Sequence, residues 1–150
     1  MTTVAMEKAS GSLQRARPEL VADLQGADLD GVDLRGADLC EARLTGADLR
    51  RANLEGADLR GADLCEAYLM EADLRRANLE GADLSEAYFI ESDLSESSLI
   101  GANLSGADFS GADLTDAILD PHFAKSSVIS DTRTVWPHSY ACADQTDQPH

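Results

Sequence analysis

The chain has 150 residues, with 28 Asp and Glu against 12 Lys and Arg, a formal net charge of −16. So acidic a molecule is excluded from binding nucleic acid through phosphates, which requires clustered Lys and Arg. Its length allows one modest core, its three cysteines make an odd number with no zinc or disulfide spacing, and no apolar run is long enough to span a membrane.

Residues 1–21 come first. They hold no apolar run of signal-peptide length, and the expected location is the cytoplasm. The Ser10-Gly11-Ser12 stretch reads as a flexible lead-in, and Leu13 to Arg17, just before Pro18, is predicted as one helical turn covering the start of the domain that follows.

From Ala22 to Pro121 a five-residue phrase, Ala-Asp-Leu-x-x, occurs twenty times without insertion or deletion. Its third position is Leu throughout, apart from Phe89 and Phe109. The first is Ala in seventeen copies, with Val32, Ser92 and Ser97 as exceptions, and the second is Asp or Asn in fifteen. On a helix each repeat would advance the Leu by about 140° and smear the leucines around the cylinder. On a continuous strand an odd period would send alternate leucines to opposite faces. The chain must therefore turn once per repeat, keeping Leu and Ala inward, and periodic chains of this kind stack as solenoids.

The phrase, as in Gly56-Ala57-Asp58-Leu59-Arg60 and Gly81-Ala82-Asp83-Leu84-Ser85, resembles that of the pentapeptide-repeat family, over two thirds of the chain. The resemblance implies an all-β fold, a right-handed quadrilateral β-helix of five coils with four repeats each, about 24 Å tall at roughly 4.8 Å per coil. In that register Phe89 lies beneath Phe109, and Ala marks corners with room for no more than a methyl group. Cys40 and Cys65 fall on different sides.

Two features of the surface stand out in that register. Residues 37–61 closely repeat as 62–86, a copying step of five repeats that rotates the surface by a quarter turn. A shorter echo at one coil, Glu66-Ala-Tyr68-Leu-Met70-Glu71 against Glu86-Ala-Tyr88-Phe-Ile90-Glu91, stacks Tyr68 under Tyr88 and Met70 under Ile90 at outward positions. This apolar cluster bordered by glutamates is a candidate partner-binding site. The same cross-strand pairs also serve the ladder itself.

Charge is even around the column, each side carrying a net of four negatives, but uneven along it. All seven repeat-region arginines lie at or before Arg76, so the last two coils carry only acids. Some pentapeptide-repeat proteins act as DNA mimics that occupy DNA gyrase or topoisomerase IV, and the resemblance makes Asp83, Asp93, Asp108 and Asp113 the acids that would carry such a role. Twelve of the 23 repeat-region acids sit just before the Leu, however, where Asp and Asn bond their own backbone in tight turns.

After Asp120 the period fails. Phe123, Val128, Ile129, Val135 and Trp136, within 122–141, are predicted to lid the open end, which would otherwise expose strand edges and a layer of leucines. The Thr134-x-Trp136-Pro137 ending is similar to the tail of many bacterial, particularly cyanobacterial, pentapeptide proteins. Where that tail commonly reads Pro-x-Gly-Phe, this one reads Pro137-His138-Ser139-Tyr140. The lid could instead be the seam of an end-to-end dimer, as in family relatives, although a monomer is expected. Residues 142–150, including Cys142, have a disordered composition.

No catalytic constellation is apparent. His122, His138 and His150 lie outside the repeats, no phosphate loop follows a strand, and close carboxylates such as Asp28 and Asp48 arise from the repeat itself. The expectation is a non-enzymatic, cofactor-free protein-interaction module, with DNA mimicry as the alternative.

Overall fold

The computed structural model describes residues 21–123 and 127–141. The predicted helical turn at Leu13 to Arg17, Cys142 and the predicted disordered tail lie outside the described residues. From Asp23 onward, the residue at the second position of each repeat pairs in parallel with the residue twenty positions later: Asp23 with Arg43, Asp28 with Asp48, and so on to Ser98 with Ile118. Each repeat thus contributes one rung to a ladder that runs along the column.

The bonds within one repeat show why five residues suffice. Leu29 N–H donates to Asp48 C=O at 2.7 Å, Asp48 N–H donates back to Ala27 C=O at 2.9 Å, and Gly31 N–H donates to Arg50 C=O at 2.8 Å. The corner closes between Leu24 C=O and Ala27 N–H at 3.0 Å, around Gly26 at φ 63°. Positive φ at the third residue of a four-residue turn, with none at the second, is the geometry of a type II turn. That turn redirects the chain once per repeat, so every Leu stays inward. The backbone polar groups satisfy one another from coil to coil, as a buried backbone requires.

The core is the stack of these leucines and alanines. Leu44, Leu49, Leu54, Leu59, Leu64, Leu69, Leu74, Leu79 and Leu84 are all fully buried, and so are the intervening alanines of the middle repeats. Phe89 and Phe109 stack at 4.8 Å with rings within 2° of parallel, as the twenty-residue register predicts. Ser92 and Ser97 replace Ala at two corners, and their hydroxyls donate to Phe89 C=O and Leu94 C=O at 2.7 and 2.6 Å. Polarity at the corner is tolerated because a carbonyl three residues back accepts each proton.

At the C-terminal end the register slips. Asp108 pairs with Ile129, 21 residues on, and Asp113 pairs with Val135, 22 residues on. The tail therefore adds two further rungs to the ladder. This corrects the predicted lid: Ile129 and Val135 cover the end with their backbones, while their side chains point outward, 55% and 47% exposed. The side-chain lid consists of Phe123, Val128 and Trp136, packed against the core. Trp136 tilts over Phe109 at 6.3 Å, and Phe123, Trp136 and Tyr140 form an aromatic cluster with centroids 5.4 to 6.0 Å apart. Tyr140 is brought in by a short helix, His138–Ala141, and its hydroxyl donates to Phe123 C=O at 2.5 Å.

Candidate protein-interaction face

The residue before each Leu faces outward, and where it is Asp or Asn it is committed to the turn. At all fifteen such positions the side-chain Oδ1 accepts the N–H two residues on, from Asp23 with Gln25 at 3.4 Å to Asp113 with Thr115 at 2.9 Å. These Asx turns hold the chain as it enters each corner. Tyr68 and Tyr88 occupy two of the five positions that lack such a residue, and there an aromatic ring replaces the carboxylate.

The two rings stack 5.3 Å apart, 5° from parallel, and remain 43% and 38% exposed. Their backbones are paired in the ladder, Tyr68 with Tyr88 and Tyr88 with Asp108. Met70 and Ile90 follow two residues later in the same two coils and are half-buried. The structure thus brings the four predicted residues together. Below them lies the Asp48–Arg50 pair, joined by two hydrogen bonds at 2.7 and 2.5 Å. Glu66 and Glu86 stand exposed at one corner, Glu71 and Glu91 at the other. Between the second corner and the apolar residues is a cleft of about 440 Å³ lined by Arg50, Arg51, Met70, Glu71, Ile90 and Glu91.

The acids singled out for the alternative reading are spread differently. Asp93 pairs with Asp113 along one side, whereas Asp83 and Asp108 stand on two others. All four are half-buried, and each Oδ1 accepts both the N–H and the hydroxyl of the Ser or Thr two residues on, the hydroxyl contacts being 2.6 Å throughout. Only the outer oxygen of each is left for another partner.

The arginines of the repeats all lie at or below Arg76. Arg35, Arg50, Arg60 and Arg75 each grip the Asp two residues back. The Arg35 guanidinium lowers the Asp33 carboxyl to about 2, and Arg50, Arg60 and Arg75 lower Asp48, Asp58 and Asp73 in the same way. Arg51 reaches down a coil to Asp30, and Arg76 reaches up to Glu96 at 3.0 Å. Burial pushes the Cys40 thiol up, with Asp58 adding to the shift.

Sequence reasoning missed two surface features. Arg133, in the cap, binds Glu91 at 2.8 Å and Asp131 at 3.0 Å, placing a cation beside the acidic upper coils. Its partner lies 42 residues earlier, beyond the reach of any local pattern. Ile100 and Ile118 are exposed at 44% and 54%, a second apolar spot whose only signal was the break in the Asp position at 118.

The family model for pentapeptide repeats matches residues 22–56, 47–85 and 82–120. A search of curated proteins gives no match. Among solved structures, the chain is similar to the pentapeptide repeat protein Rfr23 from the cyanobacterium Cyanothece 51142. The TM-score is 0.72 and the identity 25%, over 91% of this chain and 99% of that one. It also has the fold of QnrB1, a plasmid-mediated fluoroquinolone resistance protein, with a TM-score of 0.52 and 22% identity over 83% of this chain and 81% of that one. The uninterrupted five-residue phrase, its twenty-residue ladder and these matches make this chain a member of the pentapeptide-repeat family, built as a right-handed β-helix solenoid.

Proposed function

We propose that the chain is a non-enzymatic protein-interaction module, a quadrilateral column of five four-repeat coils with an adhesive face at Tyr68, Met70, Tyr88 and Ile90. The observation that carries this reading is the exposed Tyr68–Tyr88 stack, standing where neighbouring coils hold turn-forming carboxylates. Tyrosine combines a large apolar ring with a polar tip and dominates the energetic centres of protein interfaces. A charged rim around an apolar centre is the usual layout of such a site. The aromatic cap over Phe109 supports a monomer, since that end already has its own cover.

Pull-down with the wild-type chain and with Tyr88→Ala, followed by melting curves of both, tests this reading. The expected result is a partner lost by the variant while its melting temperature stays close to wild type. Equal capture by both proteins would reduce the stack to ladder packing.

A second reading is favoured by one observation: above Arg76 the repeats carry acids alone, including the paired Asp93 and Asp113. Such a surface could imitate duplex DNA toward a topoisomerase. Salt-sensitive inhibition of DNA gyrase supercoiling, reduced by Asp93→Asn with Asp113→Asn and absent for an equally acidic unrelated protein, would establish mimicry. Inhibition no stronger than that control would remove it.

A further inference from the structure

The cleft between the apolar quartet and the Glu71–Glu91 corner has an uneven chemistry. Its floor is Met70 and Ile90, its outer wall is glutamate, and its lower end is closed by Arg50 and Arg51, already paired with Asp48 and Asp30. Glu66 and Glu86 line the opposite corner, past the tyrosines. Among the described residues Glu66, Glu71 and Glu86 form no ion pair; Glu71 feels the charge of Arg51 only at longer range, and the carboxylates of Glu66 and Glu86 are open to a cation. The fourth shows what suits them: Glu91 holds the guanidinium of the chain's own Arg133 at 2.8 Å.

We propose that this cleft receives an extended, basic segment of another protein, an apolar side chain resting on Met70 and Ile90 with Lys or Arg on either side meeting the two glutamate corners. The inference rests on the interaction reading above and adds the chemistry of the partner. Three arguments converge. The rim offers carboxylates on both flanks of an apolar floor, which is the complement of a cation–apolar–cation pattern. A cleft of about 440 Å³ has room for a few side chains, whereas a helix some 10–12 Å across would ride on the rim. A molecule of net charge −16 draws basic segments by long-range attraction and repels a second copy of itself.

The test uses the full chain and three short labelled peptides: one alternating Lys with Leu, one with Ser in place of each Leu, and one with Glu in place of each Lys. Anisotropy gives affinity, and backbone amide shifts give location. The Lys/Leu peptide is expected to shift the amides of Met70, Glu71, Ile90 and Glu91, to weaken about two- to five-fold with Glu71→Gln, and to bind at least about ten-fold more tightly than its Ser counterpart. Ile90→Ser, checked for folding by its melting curve, should weaken it further.

Equal binding of the Lys/Leu and Lys/Ser peptides, with shifts on all four sides, would overturn the proposal in favour of diffuse attraction to an acidic rod. So would failure of the Lys/Leu peptide to bind at all. If Tyr88→Ala still abolishes capture of a natural partner in that case, the interaction face stands and only its basic occupant is wrong.

Discussion

Glu66 holds its backbone at φ 58°, in the left-handed region, with a full side chain attached. It is one of nine such non-glycine corners, while ten others carry Gly. An L residue in this region costs roughly 1–2 kcal/mol, and Gly avoids that cost while losing about 0.5–1 kcal/mol to chain entropy. Glu66→Gly should therefore raise stability by about 0.5–1 kcal/mol, read as a higher urea midpoint. Gly56→Ala should lower it by about 1 kcal/mol, and since nothing lies within 4 Å of the added Cβ, that loss is conformational alone. Gly61→Ala should cost about the same, because the atom its Cβ would meet is the end of the flexible Glu41 side chain, which can swing aside. A second residue-scale prediction concerns Asp33, lowered to about 2 from an ordinary 3.8, chiefly by its hydrogen bonds from Arg35. A lowered carboxyl contributes stability above its unfolded value, and that contribution fades as pH falls from about 4 toward 2. Arg35→Gln should raise Asp33 part of the way back toward 3.8 in a carboxyl titration by NMR, the backbone N–H of residue 35 still holding it down. The melting temperature at neutral pH should barely move, since both side chains are about 60% exposed and such pairs contribute little.

Each element of this protein is one repeat, and its limits are set by the corner alanine. Ala57 is fully buried against its neighbours along the column, so Ala57→Leu has no space to fill and should destabilise by about 1–3 kcal/mol in urea unfolding. The cap obeys a different constraint. Trp136 is the lone Trp and touches Phe109, Phe123 and Tyr140, so Trp136→Ala should open the upper end and increase aggregation measured by light scattering. What the sequence made legible follows from the same physics. A five-residue period forces Leu44 and Ala47 inward whatever the number of repeats per turn, while the twenty-residue spacing of the rungs came from family likeness, because a phrase that turns once does not say when it closes. The Asx role of Asp58 was readable from its place before Leu59. Ile129 and Val135 were misread because the period ends at Asp120. Slips of one and two residues then decide which side chains face the core, and a one-residue slip reverses a strand's faces. In the candidate site, the Tyr68 and Tyr88 stack was legible as an echo at twenty residues. The Glu91–Arg133 bridge depends on the path of the tail and was not.

For the whole molecule the central question is whether its charges hold the column together or push it apart. Ten ion pairs are present among the described residues, but their arginine ends are all 44% or more exposed, and exposed pairs contribute roughly 0–1 kcal/mol each. Against them stands a net charge of −16 on a column whose coils repeat every 4.8 Å or so, well inside the Debye length of about 10 Å at 0.1 M salt. Asp73, Asp93 and Asp113 form one rung series, and above Arg76 the repeats hold no arginine to offset it. Salt screens both attraction and repulsion, so the sign of its effect tells which is larger. Like charges outnumber the pairs, and the turn bonds of the aspartates fix them in place whether or not they repel. Raising sodium chloride from about 10 mM to about 300 mM, where the screening length falls from roughly 30 Å to well under 10 Å, should therefore raise the melting temperature. Arg133→Gln, which removes the cap's guanidinium from beside Glu91 and Asp131, should make that rise steeper. A melting temperature that falls with salt would mean that the arginine pairs of the lower coils outweigh the repulsion of the upper ones.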